Sequence, residues 1–257
     1  MKLISQTMRI FWAIVLRDMR SRSGGTYYSY AIAVGWPLTH LVILFGVNLF
    51  VRRIAPIGND PAVFIATGIA PYILCLYPCR LMCYAVSHNK VLLQYPIVQP
   101  IHLFTARAFL EIITAVLVLI IFVAWLAAFG LWTAPENYTQ AFYAMVLAIC
   151  LGIVMGFLGV FLHAVLGAFS ALFVTSIVMI AYAASGVFNP FFVLSQNVRD
   201  MFWYNPLYHV IGLLRGAYYD SYLLEEFSYS YVMFFCGVVL FIGLLGERAV
   251  RGALIKP

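Results

Sequence analysis

The sequence predicts an all-α integral membrane protein: an N-terminal amphipathic interface helix, six transmembrane helices, and re-entrant outer helices between the fifth and sixth. Three observations predict it. Hydrophobic residues make up 65% of the 257 and charged residues 9%, against about 45–50% and about 25% in soluble domains. That much apolar surface exceeds what a soluble core hides, so lipid must cover it. The apolar residues also gather into runs near the ~20 residues that a bilayer requires. Finally, Lys and Arg concentrate at alternate ends of those runs. One transmembrane domain spans 1–257, with no length left within it for a separate soluble domain: 1–22 as interface helix, 28–187 as spans one to five, 188–228 as the re-entrant segment, and 229–257 as span six and tail.

The first element reads as a helix in the membrane interface. At ~100° per residue, Lys2, Gln6, Arg9, Ala13, Arg17 and Arg20 share one stripe, with Leu3, Ile4, Met8, Phe11, Trp12 and Val15 opposite. Its apolar run is cut by Arg9 and Arg17 and lacks a small-residue cleavage site, unlike a signal peptide. Ser23-Gly24-Gly25 then lets the chain turn into the bilayer. Spans are expected at Tyr28–Val51, Ala62–Val86, Phe104–Leu131, Gln140–Leu166, Ala168–Val187 and Ser230–Leu245. Between the last two, aromatic pieces too short to cross are interrupted by Asn189–Pro190 and Asn205–Pro206. Irregular backbone at membrane depth survives only against protein or a water-filled cavity, so this segment is expected to gate a pathway.

Charge sets the orientation. With the N-terminus inside, one side carries Lys2, Arg9, Arg17, Arg20, Arg22, Arg80, Lys90, Arg107, Arg248, Arg251 and Lys256, and the other only Arg52, Arg53, Arg199 and Arg215. The larger group marks the cytoplasm, and an even number of spans puts both termini there. Of the acids, Asp60, Glu136, Asp200, Asp220, Glu225 and Glu226 fall outside. The net charge of +6 is thereby a topology signal, and no nucleic-acid partner is expected.

Motifs for chemistry are mostly missing. No lysine follows a glycine, so a Walker A loop is absent from these residues; neither a His-Glu-x-x-His pattern nor a Gly-x-Ser-x-Gly elbow occurs. Catalytic residues, metal ligands and a cofactor of the chain's own are therefore not expected, and uphill work must draw energy from another chain. His88, Asn89, Lys90, Val91, Leu92, Leu93, Gln94 and Tyr95, ended by Pro96, form a short amphipathic element. Such an element either docks in a partner's groove or rests on the membrane as a loop helix. Arg107 and Glu111, four apart, suit a structural ion pair on one helix face. Arg80 lies two turns from the end of its span and can snorkel, yet an intramembrane arginine is also a candidate contact for an anionic lipid or sugar. Arg17, Arg20 and Arg22 join it as substrate- or lipid-binding candidates. Tyr27, Tyr30, Trp36, Tyr72 and Phe188 are candidates to line a channel for a sliding glycan, or else belong to the interfacial aromatic belt.

Cys75, Cys79 and Cys83 recur every fourth residue on one helix face. That spacing admits a metal cluster, but small residues at a helix contact are the favoured reading, and no disulfide is expected. Gly152, Gly156 and Gly159 make a second small-residue face.

Four passages carry a resemblance that covers nearly the whole chain. They are Leu16-Arg17-Asp18-Met19-Arg20-Ser21-Arg22 leading to Trp36-Pro37; Phe64 to Tyr72 (FIATGIAPY); Asn89 to Val98 (NKVLLQYPIV) with Arg107 and Glu111; and Ser185-Gly186-Val187-Phe188 followed by Tyr204-Asn205-Pro206-Leu207-Tyr208-His209, Arg215 and Tyr218-Tyr219. Together they resemble the ABC-2-type transporter permeases, most closely the membrane subunits of capsular polysaccharide exporters (KpsM-like). The run Phe188-Asn189-Pro190-Phe191-Phe192 departs from the plainer aromatic-aliphatic pattern of that family.

The resemblance implies a homodimer in a bacterial inner membrane, each copy paired with a cytoplasmic ABC ATPase that binds ATP and Mg. It implies that the interface helix and the 88–95 element contact that ATPase, and that spans one and five line the channel beneath the re-entrant helices. The implied cargo is a lipid-linked anionic polysaccharide, handed to periplasmic and outer-membrane export components. A permease for O-antigen, teichoic acid or a drug is the alternative. An integral membrane lipid or glycan transferase is a rival from another class, which the scattered His40, His88, His102, His163 and His209 disfavour.

Overall fold

The computed structural model describes residues 2–21, 29–51, 57–58, 60–167, 169–220, 222 and 224–255. Among these the chain forms nine α-helices and no strand: α1 Lys2–Ser21, α2 Ser29–Val51, α3 Pro61–Cys83, α4 Pro100–Ala128, α5 Tyr138–Leu166, α6 Phe169–Ala183, α7 Gln196–Trp203, α8 Pro206–Gly216 and α9 Tyr229–Ile255. A 3-10 turn, Ser87–Gln94, connects α3 to α4.

Local chemistry sets the helix starts. Asp60 caps α3 by accepting from the Ala62 N–H at 2.8 Å, with Pro61 in the first turn, where its missing N–H costs nothing. Asn137 caps α5 through the Gln140 N–H at 3.0 Å. The second Asn-Pro pair is a helix start too. Asn205 accepts from the Leu207 N–H at 3.0 Å, and its amide donates to the carbonyls of Ala181 and Ala184, tying the head of α8 to the tail of α6.

Among the described residues, five helices are long and apolar enough to cross a membrane: Tyr30–Val51, Pro61–Cys83, Pro100–Ala128, Tyr138–His163 and Tyr229–Ala249. The stretch expected as span five, Ala168–Val187, forms the 15-residue α6 and then turns. Gly186, with φ +69°, takes a conformation that L side chains rarely adopt, and Ser185 Oγ donates to the Tyr182 carbonyl. The segment expected to be re-entrant holds a 3-10 turn at Phe191–Val193 and the short helices α7 and α8.

Helix α3 is the axis of the bundle. Nearly all of its residues are buried, with α2, α4, α5, α6 and α8 packed around it. Its tightest seam is with α5, where the two small-residue faces meet in register. A Cβ on Gly152 would collide with the Cys75 carbonyl, one on Gly156 with the Cys79 carbonyl, and one on Gly159 with the Cys83 sulfur. The three cysteines are free and buried. Their four-residue repeat therefore belongs to backbone approach between helices, where packing rather than lipid exclusion drives association.

The end of α3 that carries Phe64 is closed by an arginine. Arg215 of α8 is fully buried; its Nη1 donates to the Gly186 carbonyl at 2.8 Å and its Nη2 to the Val187 carbonyl at 2.7 Å. The guanidinium also lies 3.8 Å above the Phe64 ring. Gly68, one helical turn on, leaves the space: a Cβ there would strike Val187 and stand 3.1 Å from Arg215 Nη2. Two of the passages that carry the family resemblance thus pack on each other through one guanidinium.

Candidate functional site

The opposite end of α3 is open. A cleft of about 620 Å³ is walled by Arg17 and Asp18 of α1, Trp36 and Pro37 of α2, Tyr77 and Arg80 of α3, His88 and Asn89 of the 3-10 turn, and Arg107 of α4. That size falls in the range of small-ligand sites, roughly 300–1,000 Å³.

Helix α1 reaches the cleft by burying a narrow face. Ile14, Val15 and Asp18 turn inward, and Phe11 and Trp12 meet Phe109 edge to face at 5.6 Å. Met8, Trp12, Leu16 and Met19 stay exposed as an apolar stripe. The 3-10 turn is anchored the same way: Asn89 and Leu93 are buried, while Lys90, Val91, Gln94 and Tyr95 face outward.

A buried polar network joins these elements. Arg17 Nη1 donates to Asn89 Oδ1 at 2.8 Å. Asn89 Nδ2 donates to Asp18 Oδ2 at 3.3 Å and to the Ala85 carbonyl at 3.1 Å. Asp18 also lies 3.9 Å from Arg107 Nη1, and Arg107 Nε is 3.0 Å from Glu111 Oε1. Asp18, Asn89, Arg107 and Glu111 are each at most 6% exposed, so their mutual satisfaction is what makes burial tolerable.

The charges do not cancel within the cleft. Arg107 is matched by Asp18 and Glu111, whereas among the described residues no carboxylate pairs with Arg17 or Arg80. Two exposed guanidiniums beside an exposed Trp36 make a surface for an anion with an apolar or ring-bearing attachment. His88 stacks on Tyr84, ring centroids 5.1 Å apart. Burial, and then the Arg107 charge, hold its imidazole below the ordinary value, with Asp18 opposing.

No family model matches the chain. Two Escherichia coli proteins, each named polysialic acid transport protein KpsM, are 28% identical to it over 246 residues, 95% of this chain and 94% of each relative. Over nearly its whole length the chain is thus similar to polysaccharide-transport permeases of the KpsM kind. Its spanning helices make it a multi-pass membrane protein.

Within this chain the anion candidates separate. Arg17 and Arg80 share the cleft; Arg20 is exposed and outside its lining; Arg22 lies outside the described residues. Of the channel candidates, Trp36 is 67% exposed at the cleft wall. Tyr30 is half-buried, its hydroxyl 3.3 Å from Thr114 Oγ1, and Tyr27 lies outside the described residues. Tyr72 is 3% exposed and stacked on Tyr182 at 3.9 Å, and it packs α3 against α6. Phe188 is exposed and stands edge-on to Tyr182 at 5.7 Å.

Sequence reasoning placed Asn89 in the 88–95 element and Asp18 in a resemblance passage, and missed that the two meet at the centre of the network. Asp18 follows Ile14 by four and Val15 by three, which places it on the buried face of α1, a signal that was available. Asn89 offered none, because its partners lie 71 and 72 residues away.

Proposed function

We propose that the chain is the membrane permease subunit of an ATP-driven exporter that moves lipid-linked, anionic capsular polysaccharide across the bacterial inner membrane. The observation that carries this reading is the cleft itself, where Arg17 and Arg80 face open space and Arg17 is bonded to Asn89 of the turn expected to meet the ATPase. The relatives named for polysialic acid transport support a polymeric acidic cargo.

In this reading the cleft faces the cytoplasm and both termini lie there. α1 and the 87–94 turn dock on the ATPase, with exposed Val91 and Tyr95 as the apolar knobs. Two permeases associate, α2 and α6 of each copy flank the translocation path, and the short helices of 188–228 dip in from the far side. α6 completes six crossings, its 15 residues extended by the turn that Arg215 holds. ATP and Mg belong to the ATPase subunit, and closure of that subunit drives the turn and, through it, the helices around the path.

Purification of the permease from membranes of its own host tests the assembly. A Walker-containing ATPase is expected to co-purify, and its hydrolysis is expected to rise when acidic glycolipid is added. A permease that purifies alone, with glycan or lipid transfer activity, would replace this reading with the membrane-enzyme one.

A further inference from the structure

Arg17 occupies two places at once. Its guanidinium lines the cleft, and it is also the donor that satisfies the side-chain oxygen of Asn89 at 2.8 Å. Asn89 has no freedom to turn away: its amide nitrogen donates to Asp18 and to the Ala85 carbonyl, which fixes the oxygen toward Arg17. The 3-10 turn is interrupted at this same residue, where φ is −114° and ψ 15°. Asp18 and Arg107 border the cleft as well, but they are almost fully buried where Arg17 is exposed. Asp18, Arg107 and Glu111 are buried in a fixed base, and the Arg17–Asn89 bond is the link whose donor is exposed to the cleft.

We infer that Arg17 and Asn89 form an occupancy relay: an anionic phosphate or carboxylate entering the cleft recruits the Arg17 guanidinium alongside Arg80, withdraws it from Asn89, and loosens the 87–94 turn. This rests on the reading of the cleft as the seat of the cargo's anionic end. An anion outcompetes a neutral amide oxygen for a guanidinium, since charge-assisted bonds are about twice as strong as neutral ones and the planar fork favours two oxygens at once. Asn89 Oδ1, 3% exposed as a residue, is then left as a buried acceptor without its donor, which destabilises the turn that presents it. Linkage makes the relay reciprocal. A partner that pulls the turn from the bundle releases Arg17 and strengthens anion binding by the same factor. Asn89 is in this scheme a positioning residue, acting through Arg17.

Hydrogen–deuterium exchange of the full chain in phosphatidylcholine nanodiscs, titrated with phosphatidylglycerol, tests it, with bound lipid counted by native mass spectrometry. The amides of 86–94 are expected to exchange about tenfold faster once phosphatidylglycerol is bound, the scale of one lost hydrogen bond to a charged group. Asn89→Ser, too short to bridge Arg17 and Asp18, is expected to exchange at the fast rate from the start and to ignore the lipid. Arg80→Gln is expected to need more lipid but to reach the same end point. If Asn89→Ser does not fold, the unaltered chain and Arg80→Gln decide the matter. An inorganic phosphate arm separates the sources: a response to both anions assigns the relay to the phosphate group, and a response to the lipid alone assigns it to a membrane-borne anion. Phosphatidylglycerol that binds while the 86–94 rate stays unchanged overturns the relay and leaves the cleft reading intact. A chain that binds neither anion overturns both.

Discussion

Arg80 and Arg215 stand near opposite ends of α3, and the protein uses them in opposite ways. Arg215 is fully buried, with its donors given to the carbonyls of Gly186 and Val187 and its face to Phe64. Arg80 is exposed in a cleft of about 620 Å³, and among the described residues no carboxylate pairs with it. The residue type is the same, but one arginine is a fastener and the other faces open space. What separates them is whether protein acceptors already satisfy the guanidinium, which neither spacing nor depth along the helix reveals.

Substitution should divide the two ends. Arg215→Met leaves two buried carbonyls without donors and is expected to cost about 3 kcal/mol or more, read as lost thermal stability in detergent. Arg215→Lys should not restore it, because an ammonium cannot fork to both carbonyls while stacking on Phe64. The α3–α5 seam comes next. Gly156→Val forces a side chain into the Cys79 carbonyl and is expected to cost about 2 kcal/mol. Gly237→Val, where an added Cβ meets nothing within 4 Å, should leave the midpoint nearly in place. At the open end, Arg80→Gln should change stability by no more than about 0.5 kcal/mol while weakening phosphatidylglycerol binding in nanodiscs. Equal stability losses for Arg80→Gln and Arg215→Met would erase the distinction.

The smallest effect is expected from pH. The His88 imidazole is held below its ordinary value of 6.5, first by burial and then by Arg107. The folded chain therefore takes up this proton less readily than the unfolded chain. The resulting stabilisation is complete above about pH 6.5 and is lost as pH falls through that value toward the lowered one. The protection of amides 84–95, corrected for the base-catalysed intrinsic exchange rate, should fall between pH 7.5 and 5.5, and His88→Gln should flatten the response.

Much of the fold was legible because its signals repeat. The four-residue ladders of Cys75, Cys79 and Cys83 and of Gly152, Gly156 and Gly159 each announce a close helix contact, and they meet each other. Helices α2 to α5 fall close to the predicted segments since apolar length alone defines them. α6 is shorter than expected because Gly186 at φ +69° and the Arg215 buckle turn the chain early. That buckle was invisible: charge counting treats Arg215 as a solvated loop cation, and its acceptors lie 28 and 29 residues away. For the cleft, the basic residues could be read from charge patterning. Their sorting could not, because only the fold shows that Arg107 is neutralised by Asp18 and Glu111 while Arg17 and Arg80 face open space.

In the proposed function the open end receives the anionic end of an exported polymer. The most direct test of that reading replaces both Arg17 and Arg80 by glutamine in the host and compares surface polysaccharide with polymer retained inside the cell. Protein level and ATPase co-purification are followed in the same cells. Polymer should accumulate inside while the assembly stays intact. Unchanged surface polysaccharide, with both guanidiniums gone and the complex at its usual level, would contradict it.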